Sequence, residues 1–187
     1  MSRAGYVLVG GRSSRMGRDK ALLPFGAGVL AQHVAARVQS AAGTAILVGN
    51  PDIYSHLGFP VVADTQSGAG PLGGIHAALS HTTADWNLVV ACDMPNVTAG
   101  LLLEILSAAE QCAADAVFPT GPSGRAEPVC AAWHRRALPA VACALERGVR
   151  KVTGVLGDLA IHSLLIEEVS YFQNVNTPEE WAGYGAS

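Results

Sequence analysis

A short apolar segment near the start of the chain leads into a loop whose residue types suit a phosphorylated ligand. The segment Gly5–Val9 is followed by glycines, hydroxyls and cations as far as Lys20. Five of the twelve Lys and Arg residues lie between Arg3 and Lys20, in a chain of net charge −3. Backbone N–H groups of a glycine-rich turn and nearby positive side chains bind anionic oxygens. The loop therefore predicts a site for a polyanionic small molecule, with Arg15 and Lys20 among its cations.

Two carboxylates follow strand-like segments further along the chain. Asp64 comes directly after Pro60–Ala63, and Asp93 follows the apolar run Trp86–Ala91. In an open parallel sheet, ligands bind beyond the carboxyl ends of the strands, so both aspartates are expected to face the cationic loop. One carboxylate can hold Mg²⁺, and another can contact a base or a ribose. Together with the loop, they predict a site for a nucleoside triphosphate.

Each of these features also has a simpler structural interpretation. Glycine and arginine occur together in ordinary solvated turns. Asp64 and Asp93 have short side chains of the kind that cap turns, and so do Asn174 and Asn176 near the end of the chain. The residues alone leave these alternatives open, and the nucleotide interpretation depends on the loop and the carboxylates occurring together.

Several other catalytic motifs are excluded by their spacing. Gly11–Gly17 lacks both the spacing and the following Lys-Ser/Thr of a P-loop, and Gly11–Arg15 lacks the last glycine of a nucleophile elbow. No Gly-x-Gly-x-x-Gly fingerprint follows the first strand. The six histidines include no His-Glu-x-x-His motif, which argues against a zinc hydrolase. His33 and His134 are interpreted as satisfied surface or core-edge residues.

The elements that must position these residues alternate between valine- and isoleucine-rich strands and alanine- and leucine-rich helices, a pattern typical of an α/β sheet that is mostly parallel. The predicted strands are Gly5–Val9, Thr44–Val48, Pro60–Ala63, Trp86–Ala91, Ala114–Pro119, Pro128–Trp133 and, as an edge or return strand, Ile161–Ile166. The predicted helical segments are Val29–Ala41, Ile53–Leu57, Gly74–Ser80, Ala99–Ala109 with Thr98 as N-cap, Arg136–Arg147 and Val149–Leu156. Thr177, Pro178 and Glu180 mark a further helix start.

Length and composition suit a single domain over residues 1–187, because half of the residues are hydrophobic and only 14% are charged. No apolar run approaches the roughly 18–20 residues of a membrane helix, and the first residues leave no room for a signal peptide. A pI near 6.0 without a basic tail argues against nucleic-acid binding. The cysteines match neither a zinc motif nor a disulfide framework, and they are expected to be reduced, buried thiols: Cys92, Cys112, Cys130 and Cys143. We expect a cytoplasmic protein.

Six segments, taken in chain order, carry a family resemblance. They are Leu8-Val9-Gly10-Gly11-x-Ser13-x-Arg15-Met16-Gly17-x-Asp19-Lys20, Leu22-Leu23, Gly70-Pro71-Leu72-Gly73-Gly74, Cys92-Asp93-Met94-Pro95, Glu127-Pro128 and Asn174-Val-Asn176-Thr177-Pro178-Glu179. These segments resemble the molybdenum cofactor guanylyltransferase family, often called MobA. The first motif is shared by many nucleotidyltransferases. The double glycine Gly10-Gly11 and the closing Asn-x-Asn-Thr-Pro-Glu make the resemblance specific, since pyrimidine-using relatives usually carry alanine where Gly11 stands.

The resemblance implies a three-layer, Rossmann-like nucleotidyltransferase fold that transfers GMP from Mg-GTP to the terminal phosphate of molybdopterin and releases pyrophosphate. By position it implies nucleotide contacts from Leu8, Val9, Gly10, Gly11, Lys20, Asp64 and Asp93. Asn50 is added because some members have asparagine at the position of Val48. Arg15, Lys20 and Asp93 would be catalytic, with Asp93 as the Mg²⁺ ligand. On the pterin side would lie Asn174 and Asn176, and Arg125 is added because its turn should lie near the carboxyl edge of the sheet. Val9 departs from the alanine that the family usually has there.

The implied reaction needs little beyond positioning and charge neutralisation. A phosphate monoester is already an adequate nucleophile, so no serine or cysteine intermediate is required, and in-line displacement at the α-phosphorus suffices. Two alternatives stay open. The chain could be another nucleotidyltransferase, using CTP with a pterin or a sugar phosphate, or a non-catalytic carrier that binds nucleotide or pterin. Its expected partners are the two small substrates, with molybdoenzymes or other cofactor-biosynthesis proteins as further candidates.

Overall fold

The computed structural model describes residues 1–10, 19–64, 68–175 and 181. Its strands are β1 Arg3–Leu8, β2 Pro24–Phe25, β3 Gly28–Val29, β4 Ile46–Val48, β5 Val61–Val62, β6 Trp86–Ala91, β7 Ala116–Thr120, β8 Cys130–His134 and β9 Ile161–Leu165. Its α-helices are α1 Leu30–Ala42, α2 Pro51–Tyr54, α3 Gly70–His81, α4 Ala99–Glu110 and α5 Leu138–Glu146. Short 3₁₀ helices cover Lys20–Leu22, Ser55–Leu57, Arg135–Ala137, Val152–Asp158 and Val169–Phe172.

A seven-stranded sheet with the order β5-β4-β1-β6-β8-β7-β9 forms the centre of the molecule, and β2 and β3 make a separate two-stranded ribbon. β8 pairs antiparallel with β6 and with β7, whereas the other pairs in the large sheet are parallel. The chain passes from β7 to β8 through a turn, and a turn reverses direction, whereas a parallel connection needs a crossover. The mostly parallel α/β sheet predicted from the sequence is confirmed.

Helices cover both faces of this sheet. α1 packs against α4 on one face, and α3 packs against α5 on the other. The alternation of side chains along β6 supplies both cores: Leu88 and Val90 belong to the apolar cluster with α1 and α4, and Val89 belongs to the cluster with α3 and α5. The molecule therefore has the three layers that were expected. Among the helices that the structure describes, none is both long and apolar enough to cross a membrane.

Two sequence features predicted the bounds of structural elements correctly. The apolar run Trp86–Ala91 forms β6 with the predicted bounds, and five of its six residues are buried because the strand has neighbours on both edges and both faces. Thr98 caps α4 as predicted, since its side chain accepts a hydrogen bond from the backbone N–H of Leu101 at 3.2 Å. β9 lies at an edge of the sheet, also as predicted. The expected helix start at Thr177 lies outside the described residues.

α3 begins four residues earlier than the sequence predicted, at Gly70 instead of Gly74. A cluster of glycines around a proline is locally typical of a loop. Here Pro71 lies in the first turn of the helix, where its missing N–H costs no hydrogen bond. Gly74 lets the helix approach β1, because a Cβ there would lie 2.9 Å from Cδ2 of Leu8. The glycine-rich segment is thus a helix that fits closely against the end of β1.

The prediction that all four cysteines are buried is wrong for Cys143, which is exposed on α5, and Cys112 is only half-buried. Within α5 the fully buried side chains are Val141 and Ala144, so an apolar neighbourhood in the sequence does not decide which face of the helix a cysteine occupies. All four thiols are free. Burial raises the pKa of the Cys130 thiol to about 12, which keeps it protonated and unreactive near neutral pH.

Candidate active site

The ends of three neighbouring strands form the base of the candidate site. The backbone N–H of Val9 donates to the carbonyl of Val48 at 3.0 Å, and that of Cys92 donates to the carbonyl of Leu8 at 3.1 Å. These bonds continue the pairing of β1 with β4 and β6 beyond the strand ends. The segments that leave β1, β4 and β6 therefore start side by side at the carboxyl edge of the sheet, where an open α/β sheet binds its ligands.

Backbone, and not the side chain of Val9, faces this edge at the end of β1. Val9 is only 3% exposed and lies in the apolar cluster with α1 and α4. The additional methyl groups that distinguish it from alanine are thus taken up by the core. Gly10 is exposed and has φ of 92°, a left-handed conformation that glycine adopts without a steric penalty.

Asp19 is anchored through both carboxylate oxygens. Oδ1 accepts a hydrogen bond from the backbone N–H of Ala21 at 3.0 Å, which caps the 3₁₀ helix Lys20–Leu22. Oδ2 accepts from the hydroxyl of Tyr54 at 2.5 Å. Tyr54 is the last residue of α2 and is 2% exposed. The position of Lys20 is therefore connected to the segment that follows β4.

Lys20 and Asp93 form the charged centre of the site. Nζ of Lys20 lies 3.7 Å from Oδ2 of Asp93, and the two side chains are 17% and 24% exposed. Burial raises the pKa of the Asp93 carboxyl, and the neighbouring Lys20 ammonium partly offsets this shift. A carboxylate that is partly shielded from water is stabilised by any further cation that binds beside it. The pair thus offers one group for anionic oxygens and one group for a metal.

The segment at Asn174 is attached directly to the backbone of Asp93. The N–H of Val175 donates to the carbonyl of Asp93 at 2.9 Å. Oδ1 of the half-buried Asn174 is itself buried and has no hydrogen-bond partner within the described part of the chain. A buried acceptor without a partner is unfavourable by about 1–3 kcal/mol. This oxygen is therefore suited to a donor or a cation supplied by a ligand.

Asp93 and Asn174 both carry side-chain oxygen atoms, the type of ligand that suits a magnesium ion arriving with a nucleotide. Mg²⁺ prefers oxygen ligands and is usually bound by one or two carboxylates together with substrate phosphates, not by a complete protein cage. Among the residues that the structure describes, no group of three or more His, Cys, Asp and Glu side chains is arranged to hold a metal ion. One or two protein oxygen atoms are compatible with a metal that shares its coordination with phosphates.

Asp64 and Asn50 lie on one side of the charged centre. Both follow strands of the parallel part of the sheet, because β1, β4 and β5 pair in the same direction. Asp64 is half-buried, two residues beyond the end of β5. Asn50 caps α2, and its Oδ1 accepts a hydrogen bond from the backbone N–H of Asp52 at 3.0 Å. The capping role gives Asn50 a structural function in addition to the nucleotide contact predicted for it.

A cavity of about 240 Å³ lies on the opposite side, between the β7–β8 turn and the 3₁₀ helix Val169–Phe172. It is lined by Gly121, Ser123, Arg125, Glu127, Val169, Phe172 and Gln173. Nε of the 78% exposed Arg125 lies 3.1 Å from Oε1 of Glu127, whose side chain is 12% exposed. Burial raises the pKa of Glu127. The backbone N–H of Ala91 donates to the carbonyl of Val129 at 2.7 Å, which places this turn beside the end of β6.

The structure brings most of the predicted site residues to one edge of the sheet. Leu8, Gly10, Lys20, Asp93 and Asn174 lie at its centre, with Asp64 and Asn50 towards β5 and Arg125 towards β7. Gly11, Arg15 and Asn176 lie outside the described residues, so their predicted roles stay predictions.

The contact between Tyr54 and Asp19, which are 35 residues apart, was not predicted from the sequence. No local spacing pattern indicates a pairing over that distance. One sequence feature could have indicated that Tyr54 lies near the site. It belongs to a short helical turn that follows a strand, and parallel strands end at the ligand-binding edge of the sheet.

Comparisons of the sequence and of the structure with known proteins identify the family of the chain. The sequence model of the MobA-like NTP transferase domain family matches residues 5–160. The molybdenum cofactor guanylyltransferase of Vibrio parahaemolyticus is 34% identical in an alignment of 184 positions, gaps included, that covers 96% of this chain and 93% of the relative. A probable molybdenum cofactor guanylyltransferase of Bacillus mycoides is 31% identical in an alignment of 188 positions, gaps included, that covers 95% of this chain and 93% of the relative. The crystal structure of molybdopterin-guanine dinucleotide biosynthesis protein A from Archaeoglobus fulgidus superposes with a TM-score of 0.84 at 26% identity and covers 97% of this chain and 96% of that one. The chain therefore belongs to the MobA-like NTP transferase domain family.

Proposed function

We propose that this protein transfers GMP from Mg-GTP to the terminal phosphate of molybdopterin in the molybdenum cofactor, forming the guanine dinucleotide cofactor and releasing pyrophosphate. Relatives named molybdenum cofactor guanylyltransferase match nearly the whole chain, which supports the proposal. The structural observation that carries it is the pair of Lys20 Nζ and Asp93 Oδ2, 3.7 Å apart where β1 and β6 end. Such a pair supplies the two charges that nucleotidyl transfer needs, a cation for phosphates and a carboxylate for a metal.

We place the nucleotide over the β1, β4 and β5 side of the edge. The groups proposed to contact it are Leu8, Val9, Gly10, Gly11, Lys20, Asn50, Asp64 and Asp93. The support for this placement is that the described members of the set leave parallel, adjacent strands at the same edge. Exposed backbone at Gly10 can approach a ligand closely because no side chain intervenes.

The proposed reaction is an in-line displacement. An oxygen of the acceptor phosphate forms a bond to the α-phosphorus of GTP, and the bond from that phosphorus to its bridging oxygen breaks, so the electron pair leaves with pyrophosphate. Lys20 and Arg15 would neutralise the charge that builds up on the leaving group. The family generally uses a divalent metal with its nucleotide; we propose Mg²⁺ held by Asp93, which would polarise the α-phosphate.

The acceptor itself supplies the nucleophile in this scheme. Cys92 lies next to Asp93 in the sequence, but burial raises the pKa of its thiol and keeps it protonated. A protonated, buried thiol is a poor nucleophile. This supports direct transfer to the acceptor phosphate without a covalent enzyme intermediate.

We place the pterin side of the acceptor at the cavity between the β7–β8 turn and the 3₁₀ helix Val169–Phe172. Its walls combine apolar side chains with the Arg125–Glu127 ion pair, a combination that suits a flat ring with polar edges. Asn174 and Asn176 would lie between this cavity and the reacting phosphates. With the nucleotide on the other side of Asp93, the acceptor oxygen can approach the α-phosphorus opposite the leaving group.

We further propose that residues 1–187 form one nucleotidyltransferase domain, since one sheet joins β1 to β9. A cytoplasmic location fits a biosynthetic role with small phosphorylated substrates. Molybdoenzymes or other cofactor-biosynthesis proteins are the protein partners that such a product would require.

The experiment that tests the proposed function measures pyrophosphate release with molybdopterin and each of the four common nucleoside triphosphates in the presence of Mg²⁺. We expect release with GTP and much slower release with CTP. Faster release with CTP would favour the cytidylyl alternative. Tight binding of nucleotide or pterin without pyrophosphate release under any condition would favour the carrier.

A further inference from the structure

We propose that Tyr54 is a positioning residue for Lys20 and that it acts through the carboxylate of Asp19. The inference rests on the proposed function, because it assigns a role in holding the nucleotide. It concerns the hydroxyl group of Tyr54, which does not need to touch either substrate.

The contacts form a continuous chain from α2 to the charged centre. The Tyr54 hydroxyl donates to Oδ2 of Asp19 at 2.5 Å, and Oδ1 of Asp19 accepts from the N–H of Ala21 at 3.0 Å. Asp19 thereby fixes the first turn of the 3₁₀ helix that begins with Lys20. Lys20 then reaches Asp93 at 3.7 Å. A change at the hydroxyl is therefore transmitted to Lys20 through two hydrogen bonds.

The ring of Tyr54 and its hydroxyl have separable roles. The ring fills the junction beside Gly49, where a Cβ would lie 2.9 Å from Cε2 of Tyr54. The hydroxyl also lies beside Gly10, since a Cβ there would be 3.3 Å from it. Burial, together with the bond to Asp19, raises the pKa of Tyr54, so the phenol keeps the proton that it donates. Removing the oxygen alone should leave the packing intact.

The charge of Asp19 explains why the bond matters for function. Asp19 caps the 3₁₀ helix that Lys20 begins, and on this proposal an Asp19 oxygen that has lost its donor turns towards the ammonium group. In the structure both oxygens of Asp19 accept hydrogen bonds from other donors. Without the Tyr54 hydroxyl, Oδ2 would compete with Asp93 and with phosphate oxygens for Lys20. The expected consequence is weaker binding of the triphosphate.

The test compares Tyr54→Phe with Tyr6→Phe as a matched control. Tyr6 is also buried, at 1% exposure, and its hydroxyl is hydrogen-bonded to Nδ1 of His81 at 3.1 Å, in the apolar cluster with α3 and α5. For Tyr54→Phe we expect KM for Mg-GTP to rise about tenfold, the size expected for losing a hydrogen bond to a charged group. KM for molybdopterin should stay unchanged. Tyr6→Phe should leave both KM values unchanged.

A double-mutant cycle with Asp19→Asn separates positioning from general stability. If Tyr54 acts through the Asp19 carboxylate, Tyr54→Phe should change KM for Mg-GTP by less than about twofold when Asp19 is already Asn. Equal effects in both backgrounds, or an unchanged KM in Tyr54→Phe, would overturn the proposal. If Tyr54→Phe does not fold, Asp19→Asn must raise KM for Mg-GTP by itself, and an unchanged value would overturn it as well. Absence of GTP-dependent transfer in the unmodified protein would instead reject the proposed function and this inference with it.

Discussion

Ionisation of the Asp93 carboxyl lowers the stability of the folded protein, because the side chain is largely buried. Burial raises the pKa of this carboxyl above its ordinary value, so the folded chain binds the proton more tightly than the unfolded chain does. Between the ordinary pKa and the raised one, the folded state holds more protons, and stability therefore falls as the pH rises through that window. The opposing effect of Lys20 is smaller than that of burial. A carboxylate buried at such a cost in stability is consistent with the metal-binding role proposed for Asp93.

Asp93→Asn should therefore separate activity from stability. We expect transfer of GMP to fall at least about 100-fold, because an amide neutralises no metal charge. The melting temperature at pH 7 should not fall, since the variant no longer buries this charge. Pyrophosphate release and thermal unfolding of the same preparations check both parts, and the difference in stability should shrink as the pH is lowered. A melting temperature several degrees below that of the unmodified protein, or near-normal transfer at saturating Mg-GTP, would contradict the assignment.

At the scale of elements, β1, β4 and α2 meet at Gly49. A Cβ at this position would lie 2.6 Å from the carbonyl oxygen of Val9 and 2.8 Å from Cγ2 of Val9. The N–H of Gly49 also donates to the carbonyl of Val62 at 2.9 Å. Because backbone atoms cannot move aside as the end of a long side chain can, any substitution here must displace the ends of strands that carry the site.

Gly49→Ala is thus expected to lower the free energy of unfolding by about 1–3 kcal/mol, the usual cost of overpacking. Nucleotide binding should weaken too, because Val9 and Tyr54 both border Gly49. Gly157→Ala is the matched control: nothing lies within 4 Å of a Cβ there, and its stability should stay within about 0.5 kcal/mol. Urea unfolding of the two variants gives the comparison. Equal stabilities would show that the junction can relax at no cost.

The elements show where sequence was informative about the fold and where it was not. β6 was located with its correct bounds, because a strand buried on both faces leaves a continuous apolar run. The start of α3 was missed, since glycine and proline indicate a loop locally, whereas here they serve close packing against Leu8. The antiparallel direction of β8 depends on how the β7–β8 turn folds, and apolar periodicity carries no strand direction.

The candidate site was predictable to the extent that its residues follow strands. Lys20, Asp64 and Asp93 could be assigned to one edge because parallel strands end together. The hydrogen bond from Tyr54 to Asp19 and the attachment of Val175 to Asp93 join segments that are distant in the chain. Only tertiary packing decides such pairs.

At the scale of the whole molecule, Asp93 lies where two differently built halves of the sheet meet. On one side β6, β1, β4 and β5 are parallel, and on the other side β8 runs antiparallel before β7 and β9. The proposed nucleotide groups belong to the first half, and the cavity with Arg125 belongs to the second. Substitutions in the two halves should therefore affect the two substrates separately.

Arg125→Ala tests this division of the molecule. We expect KM for molybdopterin to rise several-fold, corresponding to about 0.5–1.5 kcal/mol for one polar contact, while KM for Mg-GTP stays unchanged. Arg147→Ala is the control, because Arg147 is also exposed and paired, with NH2 2.6 Å from Oδ2 of Asp158, yet does not line the cavity. Steady-state kinetics with each substrate varied in turn measure the two KM values for both variants. An increase confined to KM for Mg-GTP would contradict this division, because it would indicate that the nucleotide lies beside β7 and β8.

The bond from Val175 to the carbonyl of Asp93 has a consequence for the synthesis of the protein. A ribosome adds about 5–20 residues per second, so roughly 4–16 s separate the appearance of Asp93 from that of Val175. During this interval the nascent chain already contains β1, β4 and β6, and these strands can pair. The backbone at the aspartate that is proposed to bind the metal still lacks the partner that holds it. Binding of nucleotide to unfinished chains should therefore precede their ability to transfer it.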